Sequence, residues 1–280
     1  MTEFILGNEP AIRLSFFAAV FLVMALWEFV APRRALTHGR LKRWPNNIAI
    51  SILNTVLLRL LIPTAAVGLA LVAEGRGWGL LNQVALPQGA AIVVSILIFD
   101  LVIYAQHVVF HAVPFLWRFH RMHHADLDID VTTGARFHPV EIFLSMAIKF
   151  AAIVAVGPPA VAVVIFEVLL NATAMFNHSN IRLPRVVDRA LRLLLVTPDM
   201  HRVHHSVLQD ETNSNFGFNV PWWDRIFGTY KDQPAKGHDG MSIGIELFRT
   251  PRELWLDRML TQPLRGTEPS PSPDNANSNE

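Results

Sequence analysis

The sequence has no cysteine among its 280 residues, and charged residues make up only 17% of it. Without cysteine there are no disulfides, thiolate zinc sites or cysteine nucleophiles, so nitrogen and oxygen must hold any metal. With 51% hydrophobic residues and a mean hydropathy of +0.32, the chain is too apolar for an ordinary soluble domain. The composition therefore predicts an integral membrane protein.

Several functional signatures are missing as well. The net charge is +1, and the aromatic residues are not interleaved with basic ones as base stacking requires, so nucleic-acid binding is not supported. There is no H-E-x-x-H motif and no glycine-rich phosphate loop. Histidine, in contrast, is abundant: ten of the twelve histidines lie between His107 and His205, and this cluster is the main signal in the sequence.

Apolar runs predict where the chain crosses the membrane. The first is about 20 residues long, which matches a hydrocarbon thickness of ~30 Å. It follows no basic cluster and precedes no small-x-small cleavage site, which favours a spanning helix over a signal peptide. Pro63 predicts a kinked or two-part second span, and Gly157-Pro158-Pro159 divides the last run into two short spans or a hairpin. The four runs are residues 12–31, 48–72, 90–113 and 142–176.

We therefore predict an all-α integral membrane protein with about four to five transmembrane or hairpin helices and a cytoplasmic helical cap that holds a histidine-rich dimetal site. The predicted regions are 1–88, with two spans, 89–265, the catalytic region, and 266–280, a disordered tail rich in Pro, Ser and Asn. Arginines at helical spacing in residues 182–195 predict an amphipathic helix that lies against lipid headgroups.

Basic residues predict the orientation. The loop predicted at residues 32–46 contains five of them, whereas residues 74–88 contain only Arg76. Because basic loops stay on the cytoplasmic side, this loop and all of the clustered histidines are expected at that face. The five are Arg33, Arg34, Arg40, Lys42 and Arg43.

His107 and His111 lie four residues apart at the end of an apolar helix. They project from one face about 6 Å apart along the axis and can converge on one metal or on neighbouring metals. Tyr104 and Asp100 continue the same stripe, and both are candidates to support the ligand histidines. A carboxylate inside the bilayer is costly, so Asp100 is either a hydrogen-bond acceptor for a ligand histidine or a buried acid paired for stability alone.

Two further clusters share the form H-R-x-H-H. They are His120, His123 and His124, and His201, His204 and His205. On a helix, positions i, i+3 and i+4 form one patch, so each cluster presents three imidazoles toward one point. Imidazole suits iron, copper, nickel and zinc, so it does not name the metal. Eight histidines exceed what one ion can bind, which predicts two metals.

Other residues near these motifs are candidates as well. His178 is a predicted ligand, whereas His138 is either a tenth ligand or a helix-start histidine paired with Glu141. His38 and His238 are predicted to be solvated bystanders. The nearest carboxylates are expected to end helices or to orient ligand histidines. They are Asp126, Asp128, Asp130, Asp199 and Asp210.

The pattern resembles the fatty acid hydroxylase and sterol desaturase superfamily of membrane di-iron enzymes. The resemblance covers about residues 90–232 and includes the three histidine motifs, RFHPVE at 136–141, TPDMHRVHHS at 197–206 and NFGFNVPWWDRIFGTY at 215–230. It implies that the eight motif histidines and His178 bind two irons, with zinc able to replace iron in purified protein. It also implies that O2 and external electrons oxidise an unactivated C–H bond of a lipid-like substrate.

The absence of a fused haem domain and of a C-terminal lysine signal leads us to expect a separate reductase or ferredoxin-type donor, and a bacterial inner membrane. Two alternatives stay open. A zinc-dependent membrane hydrolase or lyase would need Asp199 or Glu141 and no oxygen, and a metal transport or storage protein would line a path through the membrane with histidines. Trp222 and Trp223 are either interface anchors or packing residues.

Overall fold

The computed structural model describes residues 2–62 and 65–266. Within these ranges the regular structure is helical, and the extended contacts are two isolated bridges, Pro32 with Ile181 and Ser206 with Ile243. The prediction of an all-α protein is therefore confirmed. Pro63 and residues 267–280 of the predicted tail lie outside the described residues.

The helices follow one another with short connections. In the described ranges the α-helices are α1 (Thr2–Gly7), α2 (Glu9–Val30), α3 (Arg40–Leu61), α4 (Ala65–Arg76), α5 (Gln88–Ala112), α6 (Pro114–His124), α7 (Pro139–Val156), α8 (Ala160–Asn177), α9 (Arg185–Leu191), α10 (Pro198–His204), α11 (Gln209–Thr212), α12 (Trp222–Ile226), α13 (Gly237–Gly240) and α14 (Leu256–Thr261). Short 3-10 turns occur at Leu80–Asn82, Thr133–Ala135, Pro251–Leu254 and Gln262–Leu264.

Five stretches are long and apolar enough to cross a membrane. They are Glu9–Val30, Arg40–Asn82, Gln88–Ala112, Pro139–Val156 and Ala160–Asn177. The predicted break at Gly157 separates α7 from α8, each 18 residues long, and Gly157 takes the left-handed conformation that ends α7. The chain is an integral membrane protein.

Helix α8 is the centre of the membrane region. In its apolar window 61% of the residues are buried, against 11% in α2 and in α7, so α8 is enclosed while those two helices face outward. Phe166 of α8 packs on Phe99 of α5 with ring centroids 5.3 Å apart. Outward-facing apolar side chains, such as Leu26 of α2 at 56% exposure, fit a hydrocarbon surrounding. The centrality of α8 matters because its C-terminal residue precedes His178.

One ion-pair network joins three of the spans. The carboxylate of Glu167 in α8 lies 2.6 Å from Lys149 Nζ in α7 and 3.0 Å from Arg13 Nη1 in α2. Arg13 also contacts Glu9 one turn earlier. Charges within a span are tolerated when they are paired, so this network ties α2 and α7 to α8.

The basic segment before the second span differs from its prediction. Helix α3 begins at Arg40, so the predicted loop of residues 32–46 ends early, and Arg43 is completely buried. The Arg43 guanidinium donates two 2.7 Å hydrogen bonds to the Asp126 carboxylate and another to Asp130. Burial alone would raise the pKa of Asp126, but the Arg43 charge lowers it to about 2. Arg43 is therefore an internal ion-pair partner, and the cytoplasmic orientation stays a prediction.

A second buried arginine extends this contact toward the histidines. Arg136 donates from Nε to the Met122 carbonyl oxygen at 2.9 Å and from Nη1 to Asn47 Oδ1 at 3.0 Å. Asn47 belongs to α3 and Met122 to α6. The N-terminal helices thus pack directly on the region that carries the histidine motifs.

The predicted amphipathic helix at residues 182–195 is shorter in the structure. Helix α9 runs from Arg185 to Leu191 with Pro184 as its N-cap, because the residue before a proline is disfavoured in the helical conformation. Arg192 is also not a headgroup-facing residue: it is buried and forms ion pairs with Asp188 at 2.8 Å and Asp232 at 3.0 Å.

Replacing Arg43 is expected to destabilise the fold strongly. Arg43→Met keeps most of the side-chain volume but leaves Asp126 and Asp130 as unpaired buried acids, which costs about 3–5 kcal/mol. Denaturant unfolding in detergent measures this loss. The neighbouring exposed Lys42, changed to Ala, is the matched control and should leave unfolding nearly unchanged. A similar midpoint for both variants would contradict the proposed role of Arg43.

Candidate metal centre

Four helix ends bring the histidine motifs together. His107 and His111 occupy the last two turns of α5, and the first H-R-x-H-H cluster forms the end of α6. The second cluster forms the end of α10, and His178 caps the C-terminus of α8. Between α5 and α6, Val113 is extended because Pro114 follows it, and this corner folds α6 back toward α5.

Nine histidine side chains meet in two groups. The five-histidine group contains His107, His111, His120, His124 and His204, and the four-histidine group contains His123, His178, His201 and His205. Within each group the nitrogen atoms available as ligands lie within 4.8 Å of one another. Eight of these side chains are buried, whereas His111 is half-buried. Each H-R-x-H-H cluster contributes to both groups, so the two groups are adjacent.

Hydrogen bonds at Nδ1 set the orientation of the rings. A carbonyl oxygen only accepts, so an Nδ1 atom beside it must carry the hydrogen, and the lone pair is then on Nε2. The carbonyl acceptors are Phe216 for His107 (2.8 Å), Arg136 for His123 (3.2 Å), Ala174 for His178 (2.7 Å) and Ser214 for His204 (2.7 Å). These rings therefore direct a bare Nε2 lone pair inward.

The Nε2 atoms meet without a proton between them. His123 Nε2 and His178 Nε2 are 3.1 Å apart although both rings donate through Nδ1. Two facing lone pairs repel, and a bound cation removes this repulsion. Metal–nitrogen bonds of about 2.0–2.1 Å place neighbouring ligand atoms ~3 Å apart. Four more Nε2 atoms are buried without a hydrogen-bond partner, those of His107, His120, His204 and His205. The donor set fits two metal ions.

Burial keeps these imidazoles in the form that binds metal. It lowers the pKa of His178 to about 4 and, together with neighbouring imidazoles, lowers the pKa of five other histidines well below the ordinary value. A neutral imidazole has a free lone pair, and a protonated one does not. The five are His123, His124, His201, His204 and His205.

Glu141 supplies a carboxylate partner for one ligand candidate. Its Oε1 accepts from His120 Nδ1 at 2.7 Å, and both side chains are buried. The alternative pairing of Glu141 with His138 is therefore not formed. Glu141 lies in the first turn of α7. In the sequence, Glu141 is recognisable as a possible histidine partner because it follows His138 by three residues at a helix start. In the folded chain, tertiary packing places its carboxylate beside His120 instead.

His138 lies apart from both groups. It caps the N-terminus of α7, where its Nδ1 accepts from the Val140 amide at 3.2 Å. Its Nε2 lies 3.2 Å from the Leu260 carbonyl oxygen, so both ring nitrogens already have partners.

Asp100 supports the centre through a loop. The predicted hydrogen bond to a ligand histidine is not formed: the Asp100 carboxylate accepts from the Asn219 side chain at 2.7 Å, from Trp223 Nε1 at 2.9 Å and from the amides of Asn219 and Val220. These donors compensate the free-energy cost of burying the Asp100 carboxylate. Trp223 is thus a packing and hydrogen-bonding residue, whereas Trp222 is 37% exposed.

The loop held by Asp100 carries the acceptor for His107. Asp224 accepts from the Phe216 and Gly217 amides, both at 2.8 Å, and fixes the Phe216 carbonyl that faces His107. Tyr104, the other predicted supporting residue, forms a hydrogen bond of 2.9 Å with Thr229 Oγ1. Thr229 in turn donates to Asp224, so Tyr104 also contacts the residues that hold this loop.

Asp199 and His238 differ from their predictions. Asp199 contacts no ligand candidate in the described part of the chain; it pairs with Arg202 and, at 3.3 Å, with Arg33. His238 is buried, not solvated, and its Nε2 lies 3.7 Å from Asp199. His38 is half-buried, and its backbone amide donates to Asp128.

Comparison with known proteins gives a consistent result. Residues 92–229, which contain all ten candidate ligands, match the fatty acid hydroxylase family. The chain is 28% identical to ornithine lipid hydroxylase of Rhizobium tropici over 157 residues, 56% of this chain and 46% of that protein. It is also 28% identical to alkylglycerol monooxygenase of Homo sapiens over 147 residues, 51% of this chain and 31% of that protein.

These matches cover less than half the length of each of these relatives. The chain is likewise 28% identical to alkylglycerol monooxygenase of Xenopus tropicalis over 146 residues, which are 51% of this chain and 31% of that protein. No solved structure matches the chain.

His178 and His138 are expected to behave differently when replaced. His178→Asn removes a ligand candidate, and purified protein should then hold about one metal or fewer per chain. His138→Asn keeps the helix cap, because Asn is a good N-cap residue, and should retain two. Elemental analysis measures both. Equal metal loss in the two variants would contradict this assignment.

The loop between Phe216 and Asp224 is expected to control metal affinity without touching metal. A Cβ at Gly217 would lie 2.6 Å from Asp224 Oδ2 and 2.8 Å from the Val220 carbonyl oxygen, so Gly217→Ala displaces the loop and the Phe216 acceptor. Metal affinity, measured by chelator competition, should fall about 10–100-fold. Gly240→Ala is the control, because the nearest atom to its Cβ is 3.7 Å away. An unchanged metal affinity in Gly217→Ala would contradict the prediction.

Proposed function

Because residues 92–229 match the fatty acid hydroxylase family, we propose that the chain belongs to that superfamily and is a membrane-bound di-iron oxygenase. It hydroxylates, or desaturates, an unactivated C–H bond of a lipid, sterol or similar apolar substrate with O2 and external electrons. The two named relatives, a lipid hydroxylase and a monooxygenase, support an oxidoreductase acting on a lipid.

One observation carries the proposal: nine buried or half-buried imidazoles converge in two adjacent groups, and rings whose Nδ1 hydrogens are already committed face one another through Nε2. One metal ion cannot use nine such donors, whereas two can. Two irons, when bound there, supply the oxidising power for a C–H bond that no acid or base side chain can deprotonate.

The protein residues orient and shield this chemistry. Phe137 stacks on His123 with ring centroids 4.5 Å apart, and Phe216 packs edge-on against His107 at 5.5 Å. These apolar rings keep water away from the buried ligands. The half-buried His111 lies at the end of the α5 span, and its exposure favours an approach to the centre from that side. A lipid whose chain stays in the bilayer reaches the centre from that side.

The hydrolase alternative is less favoured by the side-chain contacts. Asp199 pairs with two arginines, and Glu141 lies at His120 Nδ1, on the opposite side of that ring from the Nε2 offered to a metal, so neither carboxylate is placed to deprotonate a metal-bound water. The sequence also contains G-x-S-x-G at residues 240–244, but Ser242 is exposed, no histidine in the described ranges hydrogen bonds to it, and Ile243 forms an isolated bridge with Ser206. This is not the strand–turn–helix of a serine nucleophile.

The metal-transport alternative requires histidines along a path through the membrane. The nine converging histidines instead collect at the ends of α5, α6, α8 and α10.

We propose residues 89–265 as the catalytic region, supported by the spans of residues 1–88. We also propose a separate reductase or ferredoxin-type electron donor and a bacterial inner membrane with the centre at its cytoplasmic face.

The proposal predicts an oxygen-dependent change in lipid mass. Cells that express the chain, compared with cells that do not, should accumulate a lipid heavier by one oxygen or lighter by two hydrogens. Mass spectrometry after growth under 18O2 measures the incorporated atom for a hydroxylase.

The matched control is His123→Ala, which removes a ligand candidate and should abolish the product. Loss of product without oxygen is also expected. A product that forms equally in anaerobic cells, or from protein loaded with zinc alone, would overturn the oxygenase assignment in favour of the hydrolase.

A further inference from the structure

The two histidine groups differ in what their Nδ1 atoms contact. In the four-histidine group, His123 and His178 donate to main-chain carbonyl oxygens. In the five-histidine group, His120 donates to the Glu141 carboxylate, and His111 Nδ1 lies 3.3 Å from Asn213 Oδ1. His107 and His204 of the five-histidine group also donate to main-chain carbonyl oxygens, so the difference is the carboxylate: it contacts a ring of this group, and in the described ranges no carboxylate hydrogen bonds to a ring of the four-histidine group.

Glu141 has no other charge to neutralise it. In the part of the chain that the structure describes, no lysine or arginine forms an ion pair with it, and its Oε2 is buried without a hydrogen-bond partner. Its one polar contact is His120 Nδ1 at 2.7 Å. Since the His120 Nε2 atom is directed into the five-histidine group, the carboxylate acts on whatever that atom binds.

We infer that Glu141 makes the two metal positions unequal, so that the iron in the five-histidine group has the lower reduction potential. This inference rests on the proposed di-iron function. A carboxylate that accepts from a ligand imidazole makes its other nitrogen a stronger donor, and a nearby negative charge stabilises the ferric over the ferrous ion. Glu141 is a positioning residue, because it acts through His120.

The exposure of the two groups differs in the same sense. His111, the half-buried member of the nine, belongs to the same group as His120, whereas every member of the four-histidine group is buried. The electron-rich position is therefore also the one nearest to the exterior.

The test is Glu141→Gln in the full-length protein loaded with 57Fe. Glutamine keeps an oxygen that accepts from His120 Nδ1 but removes the charge. Mössbauer spectra at controlled potential report each iron separately. We expect about two irons per chain. The spectrum of one iron, a quadrupole doublet, should be unchanged, and the ferric-to-ferrous ratio of the other iron should be about tenfold lower than in the wild-type protein.

A second variant keeps the inference testable if Glu141→Gln is poorly folded. Asn213→Asp adds a charge beside His111 in the same group, and it should raise the ferric fraction of that same doublet. Glu253→Gln is the control, because Glu253 pairs with Arg265 in the C-terminal segment. Two irons with both doublets unchanged in Glu141→Gln and Asn213→Asp would overturn the inference alone. A wild-type protein that binds no pair of irons would overturn the proposed function.

Discussion

The centre depends on hydrogen bonds made at the outer nitrogen of its histidines. An imidazole has two nitrogens, and when Nδ1 is committed to a fixed acceptor the lone pair of Nε2 has one direction left. Most of these acceptors are main-chain carbonyls, at Phe216, Arg136, Ala174 and Ser214. The backbone at these points must therefore be held in place before any metal binds.

Much of the buried polar structure serves that requirement. Asp100 and Asp224 hold the loop that carries the Phe216 carbonyl, and Arg136 is fixed by Asn47 of α3. Gly134 permits another close approach: a Cβ there would lie 2.7 Å from the Ala174 carbonyl oxygen and 3.3 Å from His178 Nδ1. These residues touch no ligand nitrogen on its metal-facing side, yet they determine where the nitrogens point.

The membrane region and the polar region are coupled by paired charges. Arg43 brings the start of α3 onto Asp126 and Asp130, next to the first H-R-x-H-H cluster. Glu167 joins α8 to α2 and α7 within the spans. Since α8 ends at His178, its placement among the other spans also places a ligand candidate. The fold thus positions the two histidine groups at the ends of spans, which suits the proposed oxidation of a lipid whose chain remains in hydrocarbon.

Local sequence was sufficient for the helical fold, for the break at Gly157 and for eight histidines at helical spacing, because periodicity and glycine-proline breaks act within a few residues. It could not decide between the two roles of His138, the partner of Glu141, or the contacts of Asp100, Asp199, Arg43 and His238. Each of those depends on which side chain arrives from a helix distant in the chain, as Arg43 reaches Asp126 across 83 positions. The sequence by itself determined which imidazoles share a helix face; only tertiary structure decided how they divide between two groups, because each group combines nitrogens from different helix ends.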